Sequence, residues 1–302
     1  MSEAKGSTLT IGKRVIPPTN VDKVLYPSSF TKGQVVDYYV QIAPVMLPHL
    51  KGRAVTLKRY PNGSKAPFFF EKRCPSHKPE WVKVATVNGK EGNVVHCVLD
   101  DVASLAWVGN LAALELHVPL AKAATPNRPT WLVFDLDPGA PATLNDCAKV
   151  ALRMRDLLGH MNMESMVKTS GSKGLHLYAP LNTAVTFDQT KSFARSVAEL
   201  LERDTPKDVT ATMTRSVRTG RIFVDWSQND QHKTTACVYT LRATDRPTVS
   251  TPLLWAEVES LAEGADPAKF SFVADQVLKR VKKHGDLFEP LLKLKQKLPS
   301  FN

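Results

Sequence analysis

The sequence has few cysteines and no long apolar run. Its 302 residues include 4 cysteines (Cys74, Cys97, Cys147 and Cys237), with no Cys-x-x-Cys pair and no Cys/His ligand spacing. This spacing argues against a zinc ribbon and a disulfide framework, so we expect a reducing, cytoplasmic compartment. No uncharged stretch approaches the roughly 20 apolar residues of a membrane span, and the N-terminus lacks a signal-peptide core. We therefore expect no membrane partner.

Acidic residues are in the minority. Lys and Arg number 40 against 29 Asp and Glu, which gives a formal net charge of +11. This excess favours a polyanionic partner such as nucleic acid, although a solvated basic surface is the alternative. Repeats and long linkers are also lacking, so we expect a single catalytic unit over residues 1–302. Residues 1–19 are expected to form a flexible N-terminal arm, and residues 286–302 a C-terminal helix or tail.

Helical and extended patterns alternate along the chain. Helical periodicity follows Thr31 and Thr143, marks residues 193–201, and runs from Phe270 to a stop near Gly285. Strand patterns occupy residues 53–60, 68–71, 93–98, 131–137, 174–178, 221–226 and 236–241. Because these elements interleave without a regular βαβ repeat, the expected fold class is mixed α/β, with largely antiparallel sheets flanked by helices.

Two apolar strand patterns end in carboxylates. Asp135 and Asp137 are two residues apart, so they project from one face of a strand, and Asp225 occupies a similar apolar context. Three such carboxylates could hold two divalent metal ions. The alternatives are a solvated strand end for the first pair and, for Asp225, a salt bridge to Arg218 or Arg221.

A small-residue loop, KTSGSKGLHLY (168–178), lies between these strand patterns. Its backbone amides, the Ser170 and Ser172 hydroxyls and the Lys173 ammonium could bind phosphate oxygens, and His176 could add a donor. The loop is not a Walker A motif. A plain hairpin and a buried core histidine remain open as alternatives.

Polar residues also follow the Asp225 strand. Gln228, Lys233 and Arg242 could grip a nucleoside triphosphate, because each phosphate oxygen requires a donor or a metal ion. Each is unremarkable when taken alone.

Together these segments resemble the polymerase domain of bacterial ligase D, a member of the archaeo-eukaryotic primase superfamily. The segments that carry the resemblance are NVDKVLYP (20–27), TKGQVVDYY (31–39), LKRYPNG (57–63), FFEK (69–72), NLAALELH (110–117), VFDLDPG (133–139), KTSGSKGLHLY (168–178), RIFVDWSQN (221–229) and the KTT and YTLRA runs within 233–243. One departure is Cys237-Val-Tyr-Thr240, where the family usually has Ala-Pro-Tyr-Ser. No K-x-D-G ligase motif is present.

The resemblance implies roles for individual residues. It implies that Asp135, Asp137 and Asp225 are catalytic and hold two Mn²⁺ or Mg²⁺ ions. The implied nucleotide-binding residues are Lys58, His117, Ser170, Lys173, Gly174, His176, Gln228, Lys233 and Arg242. The implied DNA-binding residues are Lys23 and Lys32 at a downstream 5′-phosphate, Phe69 and Phe70 on template bases, and Arg218.

The resemblance also implies a reaction and partners. The expected enzyme is a nucleotidyltransferase of non-homologous end joining that extends a primer on a template, prefers ribonucleotides, and fills gaps that carry a downstream 5′-phosphate. Expected partners are DNA ends, gapped DNA, ribo- and deoxyribonucleoside triphosphates, a Ku-type end-binding protein and a ligase, with association with the bacterial nucleoid. The alternatives are a primase that starts chains without a primer and a non-catalytic module that binds DNA ends.

Overall fold

The computed structural model describes residues 8–89 and 92–299, which form seven α-helices and fourteen β-strands. The helices are α1 (Lys32–Leu50), α2 (Val102–Asn110), α3 (Leu144–His160), α4 (Phe187–Asp204), α5 (Trp255–Ala262), α6 (Ala274–His284) and α7 (Pro290–Lys293). The strands are β1 (Leu9–Ile11), β2 (Arg14–Ile16), β3 (Thr56–Arg59), β4 (Phe69–Glu71), β5 (Lys83–Gly89), β6 (Gly92–Val98), β7 (Ala113–Val118), β8 (Trp131–Pro138), β9 (Met166–Thr169), β10 (Leu175–Pro180), β11 (Val209–Thr210), β12 (Ile222–Asp225), β13 (Thr235–Ala236) and β14 (Pro252–Leu253).

The larger sheet has six strands in the order β11-β12-β8-β10-β9-β14. All of its neighbours are antiparallel except β11 and β12. Apolar residues of β8 and β10, such as Phe134 and Leu177, are fully buried in one core with the apolar faces of α3, α4 and α5. This packing fixes the central strand β8, whose end carries two of the predicted carboxylates.

The smaller sheet has four strands in the order β13-β7-β3-β4. A second core joins its apolar residues, such as Leu57 and Leu116, to the buried faces of α1 and α2. Two hairpins, β1–β2 and β5–β6, complete the strands of the described chain. The predicted mixed α/β class with largely antiparallel sheets is confirmed.

Two helix starts follow the sequence signals closely. Thr31 Oγ1 accepts a hydrogen bond from Gln34 N at 3.3 Å, and Gln34 Oε1 accepts one from Thr31 N at 2.8 Å. At α3 the backbone N–H of Thr143 donates to Asp146 Oδ2 at 2.9 Å. The reciprocal pair at α1 and the single bond at α3 satisfy backbone amides at the helix starts.

The structure corrects several predicted boundaries. Residues 9–16 of the expected N-terminal arm form the β1–β2 hairpin. The helix predicted to run from Phe270 is α6, and it starts only at Ala274, because residues 267–270 form a separate 3₁₀ turn. The strand predicted over 236–241 is reduced to β13, since Tyr239 adopts a positive φ of 66° and bends the chain.

Of the C-terminal helix or tail predicted over 286–302, the described residues 286–299 are α-helical only over the short α7, and residues 300–302 lie outside the described chain. One side-chain and one backbone hydrogen bond hold the residues after α7 in extended form beside the end of β10. Asn182 Nδ2 donates to Leu294 O at 2.6 Å, and Gln296 N donates to Leu181 O at 2.9 Å. None of the helices in residues 8–89 and 92–299 is long and apolar enough to cross a membrane.

The expectation that no cysteines pair was wrong for Cys74 and Cys97. These residues form a disulfide with a Cα–Cα distance of 4.8 Å, although they are 23 residues apart in sequence. Pairing of β5 with β6 returns Cys97 to the turn after β4, where Cys74 N donates to Val95 O at 2.7 Å. Cys147 and Cys237 are free and buried.

Candidate active site

A row of polar side chains crosses the centre of the larger sheet. Asp135 on β8 lies opposite Asp225 on β12 and opposite His176 on β10, and His176 lies opposite Lys168 on β9. Directly paired residues of antiparallel strands point to the same face of a sheet. Asp137 shares that face, because it is two residues beyond Asp135. The strands therefore place all three predicted carboxylates and His176 on one face.

Negative charge at this face is incompletely neutralised. Burial and repulsion by Asp135 and Asp225 raise the pKa of Asp137 to about 7. Burial would raise the pKa of Asp135, but the adjacent His176 lowers it overall. Asp135 Oδ1 lies 3.3 Å from His176 Nε2, and in the described chain no hydrogen bond of normal geometry reaches this oxygen. A buried, unsatisfied carboxylate oxygen beside two further carboxylates fits a divalent cation.

The carboxylate of Asp225 is occupied by the turn that follows it. Its Oδ1 accepts hydrogen bonds from Ser227 N at 2.9 Å and Ser227 Oγ at 2.5 Å, and its Oδ2 accepts one from Gln228 Nε2 at 2.9 Å. Lys233 Nζ donates to the same Ser227 hydroxyl. Among the described residues, no three Asp, Glu, His or Cys side chains surround a common metal position. Gln228 and Lys233 lie at this turn.

The loop after β9 is closed by its own hydrogen bonds. Ser170 N donates to Gly174 O at 2.9 Å, while Ser170 Oγ accepts from Ser172 N at 3.2 Å and from Gly174 N at 3.1 Å. A Cβ at position 174 would collide with the carbonyl oxygen of Leu136, so only glycine fits there. Three backbone amides of the loop that were expected to bind phosphate are therefore engaged within it, and the exposed Lys173 is its available cation.

Glu115 gathers three of the predicted nucleotide-binding residues. Its carboxylate lies 2.9 Å from His117 Nε2, 3.3 Å from Arg242 Nε and 3.6 Å from Lys58 Nζ, and its side chain is 3% exposed. Burial would raise the pKa of Glu115, but these neighbours lower it well below its usual range. The Arg242 guanidinium also donates to the carbonyl of Ser170. Glu115 thereby connects the smaller sheet to the phosphate-binding loop predicted on the larger one.

Three consecutive phenylalanines are exposed beside this cluster. Lys58 Nζ lies 4.1 Å from the ring centroid of Phe68 and 5.5 Å from that of Phe70, and these two rings are 5.7 Å apart. Phe69 points to the opposite face, where the guanidinium of Arg59 lies 5.2 Å from its ring. The structure thus pairs Phe70 with Phe68 rather than with the predicted Phe69.

Arg218 lies beside the end of β8. Its guanidinium is 3.6 Å from the ring centroid of Phe223, and its positive charge partly offsets the rise in the pKa of Asp137. A Cβ at Gly139 would collide with the carbonyl oxygen of Arg218, so the chain approaches closely at this point. Arg218 is thereby placed near the carboxylates, while its predicted role in DNA binding stays a prediction.

Lys23 and Lys32 approach each other at the start of α1. Lys32 is 6% exposed, and both burial and the charge of Lys23 lower its pKa. Its ammonium donates to Thr19 Oγ1 at 2.8 Å, and that of Lys23 donates to Asn62 Oδ1 at 2.9 Å. The first backbone amides of α1 are engaged, because Lys32 N and Gly33 N donate to carbonyls of the preceding loop. Any anion site here depends on the two ammonium groups.

Sequence reasoning missed Glu115, Lys168 and Phe68. The signal for Glu115 was the one used for Asp225, an acidic residue inside an apolar strand, ALELHV. The signal for Phe68 was strand alternation, which places residues 68 and 70 on one face. The sequence offered no signal for the burial of Lys168, which is 1% exposed.

Carboxylates on one sheet face, next to cations and hydrogen-bond donors, are typical of a nucleotidyltransferase site. Residues 31–288 match the family model described as LigD, primase-polymerase domain. The chain belongs to this family, as the resemblance of its motifs predicted.

Relatives of known name agree with this assignment. The multifunctional non-homologous end joining protein LigD of Mycolicibacterium smegmatis is 44% identical over 276 residues, which cover 90% of this chain and 35% of that protein. The bifunctional LigD of Bacillus subtilis is 34% identical over 269 residues, covering 88% of this chain and 42% of that protein. The chain thus spans about a third to two fifths of these relatives.

A solved structure is also similar. The polymerase domain from Mycobacterium tuberculosis ligase D, in complex with DNA, superposes with a TM-score of 0.86 at 43% identity. The match covers 93% of this chain and 99% of that domain.

Proposed function

We propose that this domain extends a primer on a DNA template during non-homologous end joining, by transferring nucleotides to a 3′-hydroxyl. It prefers ribonucleotides and acts at gaps and broken ends that carry a downstream 5′-phosphate. The observation that carries this proposal is the shared sheet face of Asp135, Asp137, Asp225 and His176. Family membership supports the same reading.

The three aspartates would hold two Mn²⁺ or Mg²⁺ ions. Such ions lower the pKa of a primer hydroxyl and stabilise the departing pyrophosphate. Asp137, with a pKa raised to about 7, releases its proton most readily when a cation offsets its two acidic neighbours. Asp225 becomes available when its carboxylate exchanges the hydrogen bonds of Ser227 and Gln228 for the cation.

The remaining residues would bind the triphosphate. Lys58 and Arg242 supply positive charge that Glu115 neutralises only in part, and His117 lies beside them. Lys173 and the Ser170–Gly174 loop would contact phosphate oxygens, as would His176. Gln228 and Lys233 would join them once the Asp225 turn rearranges.

The DNA would lie along the aromatic and basic surfaces of the smaller sheet. Phe70 would stack on template bases, with Phe69 or Phe68 as a second platform. Lys23 and Lys32 would bind the downstream 5′-phosphate, and Arg218 a backbone phosphate. A Ku-type end-binding protein and a ligase would act on the same broken ends.

Primer extension on gapped DNA tests this function. We expect a labelled primer to be extended according to the template, faster with ribonucleotides and only with Mn²⁺ or Mg²⁺. Asp135→Asn, Asp137→Asn and Asp225→Asn should abolish extension without weakening DNA binding, whereas Asp156→Asn, which alters an exposed ion pair with Arg155, should not.

Other outcomes would favour the rival functions. Products formed without any primer would identify a primase that starts chains. DNA binding without incorporation under any metal or nucleotide condition would identify an end-binding module.

A further inference from the structure

Lys168 is a buried cation that the proposed chemistry has not yet used. It is 1% exposed, and no carboxylate of the described residues lies within ion-pair distance of its ammonium. Removing an ammonium group from water is costly unless its N–H groups find acceptors. The partners of this group therefore indicate why it is there.

Each of the three N–H groups of Lys168 has an acceptor. Nζ lies 3.2 Å from Ala236 O, 2.5 Å from Ser250 Oγ and 3.0 Å from His176 Nδ1. A carbonyl oxygen can only accept. The Ser250 hydroxyl donates its own proton to Thr169 O at 2.9 Å, so it too accepts from Lys168.

The third N–H consequently determines the state of the imidazole. When it donates to His176 Nδ1, that nitrogen carries no proton, and the proton of the neutral ring is on Nε2. Nε2 faces Asp135 Oδ1 at 3.3 Å, on the side of the carboxylates. The ring is thus held between a buried cation and the active face of the sheet.

We propose that Lys168 is a positioning residue, which fixes the ring orientation and the Nε2–H tautomer of His176 so that this proton is presented to the triphosphate. The inference rests on the proposed function, because it concerns how His176 binds the nucleotide. Without Lys168, Nδ1 has no donor, and the ring can rotate or move its proton to Nδ1. Either change removes the hydrogen-bond donor that Nε2 offers to a phosphate oxygen.

A double-mutant cycle separates positioning from a plain structural role. Lys168→Met removes the ammonium but keeps an unbranched side chain, and it should raise the KM for the nucleotide about tenfold, with the Kd for gapped DNA unchanged. In a His176→Ala background the same substitution should change KM by less than about threefold, since its effect passes through the imidazole. Equal losses in both backgrounds would overturn the inference.

Arg53→Met is the matched control. Arg53 is also a buried cation, 2% exposed. Its guanidinium carbon lies 3.4 Å from the ring centroid of Trp131, and it does not contact His176. If both variants lose similar thermal stability but only Lys168→Met raises KM, the effect is specific. If both raise KM alike, Lys168 has only a structural role.

Nitrogen NMR of the imidazole provides a test that needs no variant of Lys168. The His176 signals are assigned by comparison with His176→Gln. The spectra are recorded at about pH 6, because burial and the charge of Arg242 lower the pKa of Lys168 to about 7 and its amine should be protonated at that pH. We expect Nδ1 to be unprotonated and hydrogen-bonded, and Nε2 to carry the proton. A protonated Nδ1 would refute the proposal even if Lys168→Met fails to fold. A wild-type protein without primer extension would refute the proposed function instead, and leave the tautomer measurement valid.

Discussion

The carboxylate of Glu115 lies 3.3 Å from Nε of Arg242, and this contact links the two sheets at the candidate active site. Glu115 belongs to β7 of the smaller sheet, whereas Arg242 also bonds to the carbonyl of Ser170 at the edge of the larger one. Three of the predicted nucleotide-binding residues, Lys58, His117 and Arg242, therefore share one buried counter-ion although they come from distant segments of the chain. Their arrangement depends on a residue that need not touch the nucleotide.

Glu115→Gln should impair nucleotide binding more than DNA binding. The amide keeps the volume of the side chain but removes the charge that holds Lys58, His117 and Arg242 together. We expect KM for the nucleotide to rise about tenfold or more, because charge-assisted hydrogen bonds are lost at a buried site. Steady-state primer extension measures KM, and fluorescence anisotropy measures the Kd for gapped DNA.

Glu71→Gln is the control for this effect. Glu71 also forms an ion pair in the smaller sheet, 3.0 Å from Arg59, which has no predicted role in nucleotide binding. Loss of the Glu71–Arg59 ion pair should leave the KM for the nucleotide nearly unchanged. A similar rise in KM for both variants would mean that Glu115 only stabilises the sheet.

The two faces of β4 give a prediction about template binding. Phe70→Leu and Phe68→Leu should weaken binding to the template strand by about 1–3 kcal/mol each, because both rings lie on the Lys58 face. Phe69→Leu should have a smaller effect, since its ring packs near Arg59 on the other face. Titration with gapped DNA whose template bases are replaced by abasic sites measures how much of the binding free energy comes from stacking on bases. Equal losses for all three variants would contradict a single stacking face.

The sequence predicted the fold class and the individual site residues Asp135, Asp225 and His176, because these predictions depend on local patterns. Asp135 and His176 lie on apolar runs, and the Thr31 capping box is a local signal that fixes the start of α1. A strand's own residues show which of its side chains share a face. These inferences needed no knowledge of how distant segments pair.

What the sequence could not predict depends on pairing between distant segments. β7 lies between β3 and β13, so the contacts of Glu115 join segments up to 128 residues apart. The Cys74–Cys97 disulfide likewise requires the β5–β6 hairpin to bring its two ends together. The sequence also could not predict that the turn after β12 engages the carboxylate of Asp225. An aspartate that binds a metal ion and one that accepts hydrogen bonds from the next residues have the same sequence pattern.

Acid should destabilise the domain through Asp286. Burial would raise the pKa of this carboxyl, but hydrogen bonds from His49 at 2.8 Å and Tyr239 at 2.8 Å lower it below its usual 3.8. A carboxyl with a lowered pKa in the folded state adds stability above its unfolded pKa and loses it as pH falls through the folded value. Because Tyr239 belongs to the bend that leads to Arg242, the same contacts help to position the site.

Asp286→Asn tests this linkage. At neutral pH the variant should be less stable than the wild type by about 1.5–3 kcal/mol, and the difference should shrink as pH falls below about 4. Denaturant unfolding at a series of pH values measures this difference in the free energy of unfolding. Asp245→Asn, which alters an exposed ion pair with Lys65, should show almost no difference at any pH. A stability gap for Asp286→Asn that does not depend on pH would contradict the argument.

The two lysines at the start of α1 give the most direct test of a repair-specific role. Lys23 and Lys32 lie close enough for one charge to lower the pKa of the other, and the amides beside them are already engaged. A terminal phosphate carries more charge than an internal diester, so it relieves this repulsion best. The double variant Lys23→Met and Lys32→Met should weaken binding to gapped DNA with a 5′-phosphate by about 1.5–3 kcal/mol. Binding to the 5′-hydroxyl version at the same salt concentration should hardly change, whereas equal losses on both substrates would identify ordinary backbone contacts and remove the 5′-phosphate site.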